Sequence, residues 1–149
     1  MRCVIQRVKN AQVHTENEEL AGIRTGLLVF LGVGAGDTEK DAAYLARKIA
    51  NLRVFPDGEG LMNLSVADVD GEVLLVSQFT LLGDCQKGNR PSFTKAAGPE
   101  EANALYETLA RMLRDAGLPV QTGRFQADMD VSLVNQGPVT ILIDSRKSF

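Results

Sequence analysis

Three side chains near the end of an apolar segment could act as nucleophiles: Ser77, Thr80 and Cys85. A hydroxyl nucleophile needs a neighbouring base, yet the only histidine, His14, lies in a polar stretch far away in the sequence. Ser77 also lacks the flanking glycines of a nucleophile elbow, because it stands between valine and glutamine. Thr80 could therefore be a nucleophile, or it could be a strand-end hydroxyl that satisfies a backbone group.

A second set of candidates is basic. Lys87, Arg90 and Lys95 place three cations within nine residues, in a segment that also contains Gly88 and Pro91. A basic loop just beyond an apolar strand can bind phosphate groups, and each phosphate contact adds salt-dependent affinity. The same composition is also typical of a solvated surface loop, so the residues alone leave both interpretations open.

A glycine-rich segment, GVGAG at 32–36, follows an apolar stretch and precedes a helical pattern, as a dinucleotide-binding turn does. The fingerprint needs its third glycine one residue later, where this chain has Asp37. An acidic group at a helix N-terminus repels a pyrophosphate. The pattern favours a flexible strand-to-helix turn over a nucleotide site.

Composition limits the class of protein. The chain has 149 residues, 44% of them hydrophobic, which predicts one globular domain over residues 1–149. No apolar run is long enough to span a membrane and the first residues do not resemble a signal peptide, so a cytosolic location is expected. Cys3 and Cys85 lack disulfide or zinc spacing and are predicted to be free thiols, with no metal and no cofactor. A net charge of −3 argues against non-specific binding to DNA but allows a local basic site.

Periodicity predicts two helices and about seven strands in a mixed α/β domain. A capping box at Thr38 and Asp41 begins a helix at 38–51, and Pro99 begins a second that ends before Gly117. A hairpin turn is expected near Glu16 to Glu19. The predicted strands lie at 2–9, 23–33, 52–55, 72–79, 119–125 and 130–143.

The last of these strands contains NQGPVT at 135–140, where Gly137 and Pro138 remove a side chain and an amide donor together. This segment, SQFTL at 77–81 and KGNRPSF at 87–93 closely resemble the signatures of D-aminoacyl-tRNA deacylases. Further matches are MRCVIQRV at the start, MNLSV at 62–66 and TGRFQADM at 122–129. The resemblance covers nearly the whole chain and leaves out the tail at 145–149.

This resemblance implies hydrolysis of the ester between a D-amino acid and the 3′ end of tRNA, with mischarged glycyl-tRNA as a further substrate. It implies a compact domain of mixed, largely antiparallel sheets that forms a homodimer. The expected catalytic segment is Ser77, Gln78, Phe79 and Thr80. The expected substrate-binding residues are Arg7, Lys87, Arg90, Phe125, Met129, Asn135, Gly137, Pro138 and Val139.

Within this set the resemblance assigns separate roles. Gly137 and Pro138 would form a cis dipeptide that projects into the other subunit's pocket, with Arg7 helping to hold it. Phe125 and Met129 would border the terminal adenosine. We expect backbone N–H groups around Gln78 and Phe79 to form an oxyanion hole.

Two alternatives remain open at this point. Thr80 could be a covalent nucleophile, or backbone N–H groups could catalyse the reaction without its hydroxyl. The protein could also be a non-catalytic module that binds a tRNA end or a nucleotide, because no acid/base set is recognisable in the sequence.

Overall fold

The structure, a computed structural model, describes all 149 residues. The chain forms eight strands, two α-helices and one short 3₁₀ helix. In chain order the elements are β1 (Arg2–His14), β2 (Glu19–Ile23), β3 (Gly26–Gly32), α1 (Glu39–Asn51), β4 (Phe55–Pro56), β5 (Met62–Leu64), β6 (Glu72–Ser77), the 3₁₀ helix (Phe79–Leu82), α2 (Pro99–Asp115), β7 (Val120–Thr122) and β8 (Asp130–Asp144).

The long strand β1 organises the main sheet because both of its edges are paired. One edge runs antiparallel to β8, and the other runs antiparallel to β3 over its first half and to β2 over its second. β3, β6 and β7 then continue the sheet in parallel, while β4 and β5 form a separate antiparallel pair. This topology confirms the predicted mixed, largely antiparallel α/β fold with two helices.

Both faces of the central strands are buried. Alternate residues of β3 and β6, such as Leu27 and Leu75, face a large core that the apolar stripes of α1 and α2 complete. Their neighbours Leu28 and Leu74 face a second, smaller core on the other side of the sheet. Each fully buried leucine contributes about 1.5–3 kcal/mol, so β6 is a rigid platform for whatever follows its last residue.

Local signals set the helix ends as the sequence predicts. Thr38 is the N-cap of α1, and its backbone N–H donates to Asp41 Oδ2 at 2.8 Å in a capping box. Pro99 begins α2, where its missing N–H leaves no hydrogen bond unmade. Gly117, with φ of +88°, follows the end of α2.

The N-terminal strands differ from the prediction. β1 extends to His14, and the turn after it leads into β2, which the sequence does not predict as a separate strand. The region predicted as one strand at 23–33 is broken after Ile23. There the backbone of Arg24 and Thr25 turns to bond Glu72, and Gly26 packs so closely that a Cβ would lie 1.9 Å from the Glu72 carbonyl oxygen.

Three later strands are shorter than predicted. β7 covers only Val120–Thr122. β4 begins at Phe55, because the carbonyl of the preceding Val54 accepts a hydrogen bond from the Arg7 side chain and not from a neighbouring strand. β6 ends at Ser77, and the apolar residues after Gln78 form the 3₁₀ helix. Hydrophobicity alone does not separate a buried strand end from a short helix that buries one leucine.

No helix has both the length and the apolar character needed to cross a membrane. Cys3 is buried and Cys85 is exposed, and both are free thiols. Burial raises the pKa of Cys3 to about 12, which keeps this thiol protonated and unreactive.

Candidate active site

A pocket of about 580 Å³ opens at the end of β6, between the sheet and α2. Eleven of its 16 lining residues are hydrophobic, which is typical of a site that binds an organic group and not a hydrated ion. Leu31 and Val76 line it from the sheet, Ala102 and Tyr106 from α2, and the 125–129 segment closes one side.

The SQFTL segment lies at this pocket. Ser77, Gln78 and Phe79 all line it, whereas Thr80 does not. The Phe79 side chain is 57% exposed, which is unusual for a phenylalanine beside an apolar pocket. The Nε2 of Gln78 donates to the Thr80 hydroxyl, so the neighbour of Thr80 is an amide and not a base.

Backbone donors at this segment are restricted by the fold. The Gln78 N–H donates to the Leu31 carbonyl at 2.7 Å, so the expected contribution of this N–H to an oxyanion hole is wrong. Phe79 and Thr80 open the 3₁₀ helix, where their N–H groups have no acceptor inside the helix. The available backbone donors are therefore those of Phe79 and Thr80.

Gly32 permits this arrangement. A Cβ at Gly32 would lie 2.6 Å from Leu82 Cδ2 and 3.0 Å from the Gln78 carbonyl oxygen. The missing side chain thus lets the 3₁₀ helix pack directly on the end of β3. A glycine that suggested nucleotide binding in the sequence instead positions the SQFTL segment.

Aromatic and sulfur-containing side chains form the opposite wall. Phe125 and Met129 both line the pocket, and the Phe125 ring lies 6.0 Å from that of Tyr106. The Tyr106 hydroxyl donates to the Leu75 carbonyl at 2.8 Å, and burial raises the pKa of this tyrosine. Tyr106 is therefore a fixed neutral support for Phe125 and not an acid or base.

The Gly137-Pro138 segment forms an excursion from β8. Gln6 of β1 pairs with Thr140 and Val8 pairs with Asn135, so a single residue of β1 lies opposite four residues of β8. These four residues, 136–139, project from the strand as a loop, and the Gly137-Pro138 bond is cis. The strand does not end at the dipeptide, because β8 resumes pairing at Thr140.

The Asn135 side chain closes the base of this loop. Its Oδ1 accepts from the Val139 N–H at 2.8 Å, and its Nδ2 donates to the Val139 carbonyl at 3.1 Å. These two bonds replace the strand partner that the loop lacks. Asn135, which the sequence placed among the substrate-binding residues, therefore uses its amide within the loop, while the half-buried Val139 packs against the core.

Arg7 holds the other side of the loop. Its Nε donates to the Gln136 carbonyl at 2.9 Å and its Nη1 to the Val54 carbonyl at 2.5 Å. The planar guanidinium thus ties the loop to the segment before β4. Its contact with the residue before the dipeptide agrees with the role expected for Arg7.

The loop and the pocket do not meet within one chain. None of the residues 135–139 lines the pocket, and both Gly137 and Pro138 are exposed to solvent. A loop that is fixed at its base yet exposed at its tip is suited to contact another molecule.

The family model described as D-Tyr-tRNA(Tyr) deacylase matches residues 4–144. The chain belongs to this family. A protein of Thermotoga petrophila named D-aminoacyl-tRNA deacylase is 58% identical over 149 residues, all of both chains, and one of Desulfitobacterium hafniense with the same name matches equally well. The family suggested by the sequence motifs is thereby confirmed.

Two solved structures resemble this member of the deacylase family. The c-Myc DNA Unwinding Element Binding Protein is 40% identical, with a TM-score of 0.91 over 97% of this chain and 98% of that one. A probable eukaryotic D-amino acid tRNA deacylase is 17% identical, with a TM-score of 0.79 over 95% of this chain and 97% of that one. Because its sequence identity is only 17%, this second structure supports a shared fold and nothing more.

In this deacylase family member the basic loop lies beside the SQFTL segment and outside the pocket. Asp84 and Ser92 pair through both backbone bonds and close the loop, and Phe93 packs edge-on against Phe79 at 5.0 Å. Lys87 and Arg90 are exposed and take part in none of the ion pairs. The pKa of Asp84 lies below its usual range, because the Gln86 N–H and then Lys95 donate hydrogen bonds to it.

The pocket of this family member contains no acid/base set beside Thr80. His14 lies at the far end of β1 and is not among the lining residues, and neither is Cys85. The one carboxylate in the wall is Asp128, which the sequence analysis missed together with Gln126 and Tyr106. Asp128 and Gln126 belong to the segment TGRFQADM at 122–129. Because Phe125 and Met129 of this segment were predicted to bind substrate, their neighbours could also have been predicted to line the pocket.

The glycine-rich turn at 32–36 does not form a nucleotide site. The Gly34 N–H donates to Asp37 Oδ2 at 2.6 Å, and Arg146 pairs with the other oxygen of the same buried carboxylate at 2.9 Å. The chain's own anion thus occupies the position that a phosphate would need. This agrees with the interpretation of GVGAG as a strand-to-helix turn.

Proposed function

We propose that this protein hydrolyses the ester between a D-amino acid and the 3′ end of tRNA, and that the loop 136–139 of a second subunit rejects L-amino acids. The observation that carries the proposal is the loop itself, which Arg7 and Asn135 fix at its base while Gly137 and Pro138 remain exposed. Relatives 58% identical over the whole chain bear the name D-aminoacyl-tRNA deacylase, and the reaction class follows from them.

A homodimer brings the loop to the pocket. β8 pairs only with β1, so its other edge is unpaired, and Val134 and Leu142 on this strand are 47% and 57% exposed. An exposed edge with apolar side chains is a surface that another strand or chain covers. Phe79 at the pocket is exposed as well, which supports a second copy of the chain covering both features.

Rigid main chain accounts for the chiral selectivity. Discrimination of about 10⁴ requires about 5.5 kcal/mol, more than the roughly 1–3 kcal/mol that a methylene-sized difference in a pocket supplies. A clash between an L side chain and fixed backbone reaches this value because the loop cannot move away. Glycine has no side chain to clash, so the same filter admits glycyl-tRNA as a second substrate.

Catalysis then rests on backbone donors and on the RNA. The substrate is an activated ester, so its carbonyl needs charge stabilisation more than it needs a strong base. In this proposal the N–H of Phe79, which lines the pocket and opens the 3₁₀ helix, stabilises the oxyanion, and an oxyanion donor contributes about 10²–10³-fold in rate. The ribose 2′-OH next to the ester assists in place of a protein side chain, and Phe125 with Met129 holds the terminal adenosine.

A metal-free comparison of D-tyrosyl-tRNA with L-tyrosyl-tRNA tests this function. The proposal predicts rapid release of D-tyrosine, retention of L-tyrosine, and cleavage of glycyl-tRNA at an intermediate or higher rate. Tight binding of both tRNAs without turnover would instead establish the alternative, a non-catalytic module for the tRNA end. Equal hydrolysis of both tyrosyl esters would overturn the chiral filter while leaving an esterase.

A further inference from the structure

A basic cleft lies at the C-terminal end of α1, outside the pocket at the end of β6. Its volume is about 380 Å³, and its lining consists of Arg47, Lys48, Asn51, Leu52 and Arg53, which we call the α1 basic cleft. The three cationic side chains are exposed. In a chain with a net charge of −3, this is a local concentration of positive charge.

No ion pair neutralises the charge of this cleft, although the Asp68 carboxylate interacts with Arg53 through space. Five ion pairs occur in the structure, and none includes Arg47, Lys48 or Arg53. Cations near a helix C-terminus stabilise the helix dipole, which explains Lys48 in the last turn of α1. It does not explain Arg53, which lies beyond the helix.

Contacts within the chain restrain all three cations. Arg47 and Lys48 both lie against the ring of Tyr44, at 5.8 and 5.7 Å from its centre. The guanidinium of Arg53 is held by the carbonyl and side-chain oxygens of Asn63. Less side-chain entropy is therefore lost when the cleft binds an anion.

The α1 basic cleft is joined to the Gly-Pro loop. Val54, the residue directly after Arg53, accepts a hydrogen bond from Arg7, and the same guanidinium bonds Gln136 at the loop base. One guanidinium thus links the base of the loop to the residue next to the cleft. In the proposed dimer, the loop that enters the partner subunit's pocket is therefore connected to this cleft through Arg7.

We propose that the α1 basic cleft binds backbone phosphates of the tRNA whose 3′ end occupies the partner subunit's pocket. This inference rests on the proposed function and adds a second RNA contact to it. Arginine forks and an ammonium group match phosphate oxygens, and double-stranded RNA is recognised mainly through its backbone and shape. The cleft thus supplies affinity for the body of the tRNA, while the pocket recognises the ester.

The test replaces Arg47→Gln and Lys48→Gln together and compares two substrates: D-tyrosyl-tRNA and the D-tyrosyl ester of adenosine. We expect KM for the tRNA to rise about 5- to 20-fold at 0.1 M salt, because each phosphate contact contributes a slope of about −0.7 to −0.9 in log K against log salt. That slope should become shallower by about 1.5 for two contacts. Hydrolysis of the adenosine ester should keep its wild-type kcat/KM.

A matched control removes two other exposed helical cations, Lys40→Gln and Arg111→Gln, which changes the net charge equally. An equal rise in KM for this control, or an unchanged salt slope in the cleft variant, would overturn the inference. Equal losses on the adenosine ester would also overturn it, since they would place the effect in the pocket. If the wild type hydrolyses neither substrate, the proposed function fails, and binding of uncharged tRNA by both variants still tests the cleft.

Discussion

The Nε of Arg7 donates to the carbonyl oxygen of Gln136 at 2.9 Å, while the same guanidinium bonds the Val54 carbonyl. One side chain on β1 thereby fixes both the exposed loop and the segment that precedes β4. Two main-chain carbonyls from separate segments are thus held by one planar side chain. Arg7, a residue outside the loop, therefore helps to fix the base of the loop.

Replacement Arg7→Lys should weaken the loop, because an ammonium group is a point donor and lacks the planar fork that bonds two carbonyls here. We expect kcat/KM for D-tyrosyl-tRNA to fall about 10- to 100-fold and the free energy of unfolding to fall by roughly 1–3 kcal/mol. Steady-state kinetics and urea denaturation measure the two effects. Arg24→Lys, at an exposed position, is the control and should change neither. Wild-type turnover by Arg7→Lys would show that the loop needs no such support.

Replacement Asn135→Ala should lower selectivity more than it lowers turnover, because it removes both side-chain bonds to Val139 and loosens the loop base. We expect the ratio of D- to L-tyrosyl-tRNA hydrolysis to drop by at least about tenfold, which corresponds to 1.4 kcal/mol. Parallel assays of the two esters give this ratio. Asn17→Ala, in an exposed turn, should leave it unchanged. An unaltered ratio in Asn135→Ala would separate loop rigidity from chiral selection.

Replacement Gly137→Ala tests close packing at the loop tip. Gly137 has φ of +135°, and a Cβ there would lie 2.9 Å from both Arg7 Nη2 and Val139 Cγ2. We expect kcat/KM for D-tyrosyl-tRNA to fall by about 10²-fold or more, since the methyl group must displace the loop. Gly60→Ala introduces a similar positive-φ strain at a position with no atom within 4 Å, and should keep full activity. Equal activity of the two variants would contradict a loop of fixed shape.

Replacement Thr80→Val separates the two versions of the chemistry. Valine is nearly isosteric but lacks the hydroxyl, which here accepts a hydrogen bond from Gln78 and has no adjacent base. Backbone and RNA catalysis predicts that kcat stays within about tenfold of wild type, with Ser92→Ala as a control for loss of an exposed hydroxyl. Loss of more than about 10³-fold in folded protein would instead indicate a covalent threonine mechanism.

Features that depend on a few neighbouring residues were predictable from the sequence. The capping box of Thr38 and Asp41 and the proline that begins α2 fix helix ends through contacts within one turn. The apolar strand β6 also follows from its composition. In each case local physical chemistry is sufficient.

Features that depend on distant contacts were not predictable from the pattern. The end of β6 at Ser77 follows from the packing of the 3₁₀ helix on Gly32, 45 or more residues earlier in the chain. β8 continues past Gly137-Pro138 because the Asn135 side chain bonds the backbone of Val139 and so joins the two ends of the loop. The hydrophobicity pattern of the sequence predicts neither of these two contacts.

The candidate site shows the same division. The motif resemblance named Ser77, Phe79 and Phe125, which line the pocket, but it also named Lys87 and Arg90, which lie outside it. It did not reveal that the Gln78 N–H is already bonded to Leu31, that Asp128 stands in the pocket wall, or that Asn135 serves the loop. Hydrogen-bond occupancy is a property of the folded chain and not of residue type.

Activity of mixed dimers tests whether the loop of one subunit completes the pocket of the other. A loop variant, Gly137→Ala with Arg7→Ala, is combined with a pocket variant, Phe79→Ala with Phe125→Ala, by denaturing and refolding the mixture. Each variant alone should be inactive on D-tyrosyl-tRNA. We expect the mixture to recover activity, because the intact loop of one subunit meets the intact pocket of the other. No recovery from well-folded mixed dimers would contradict it.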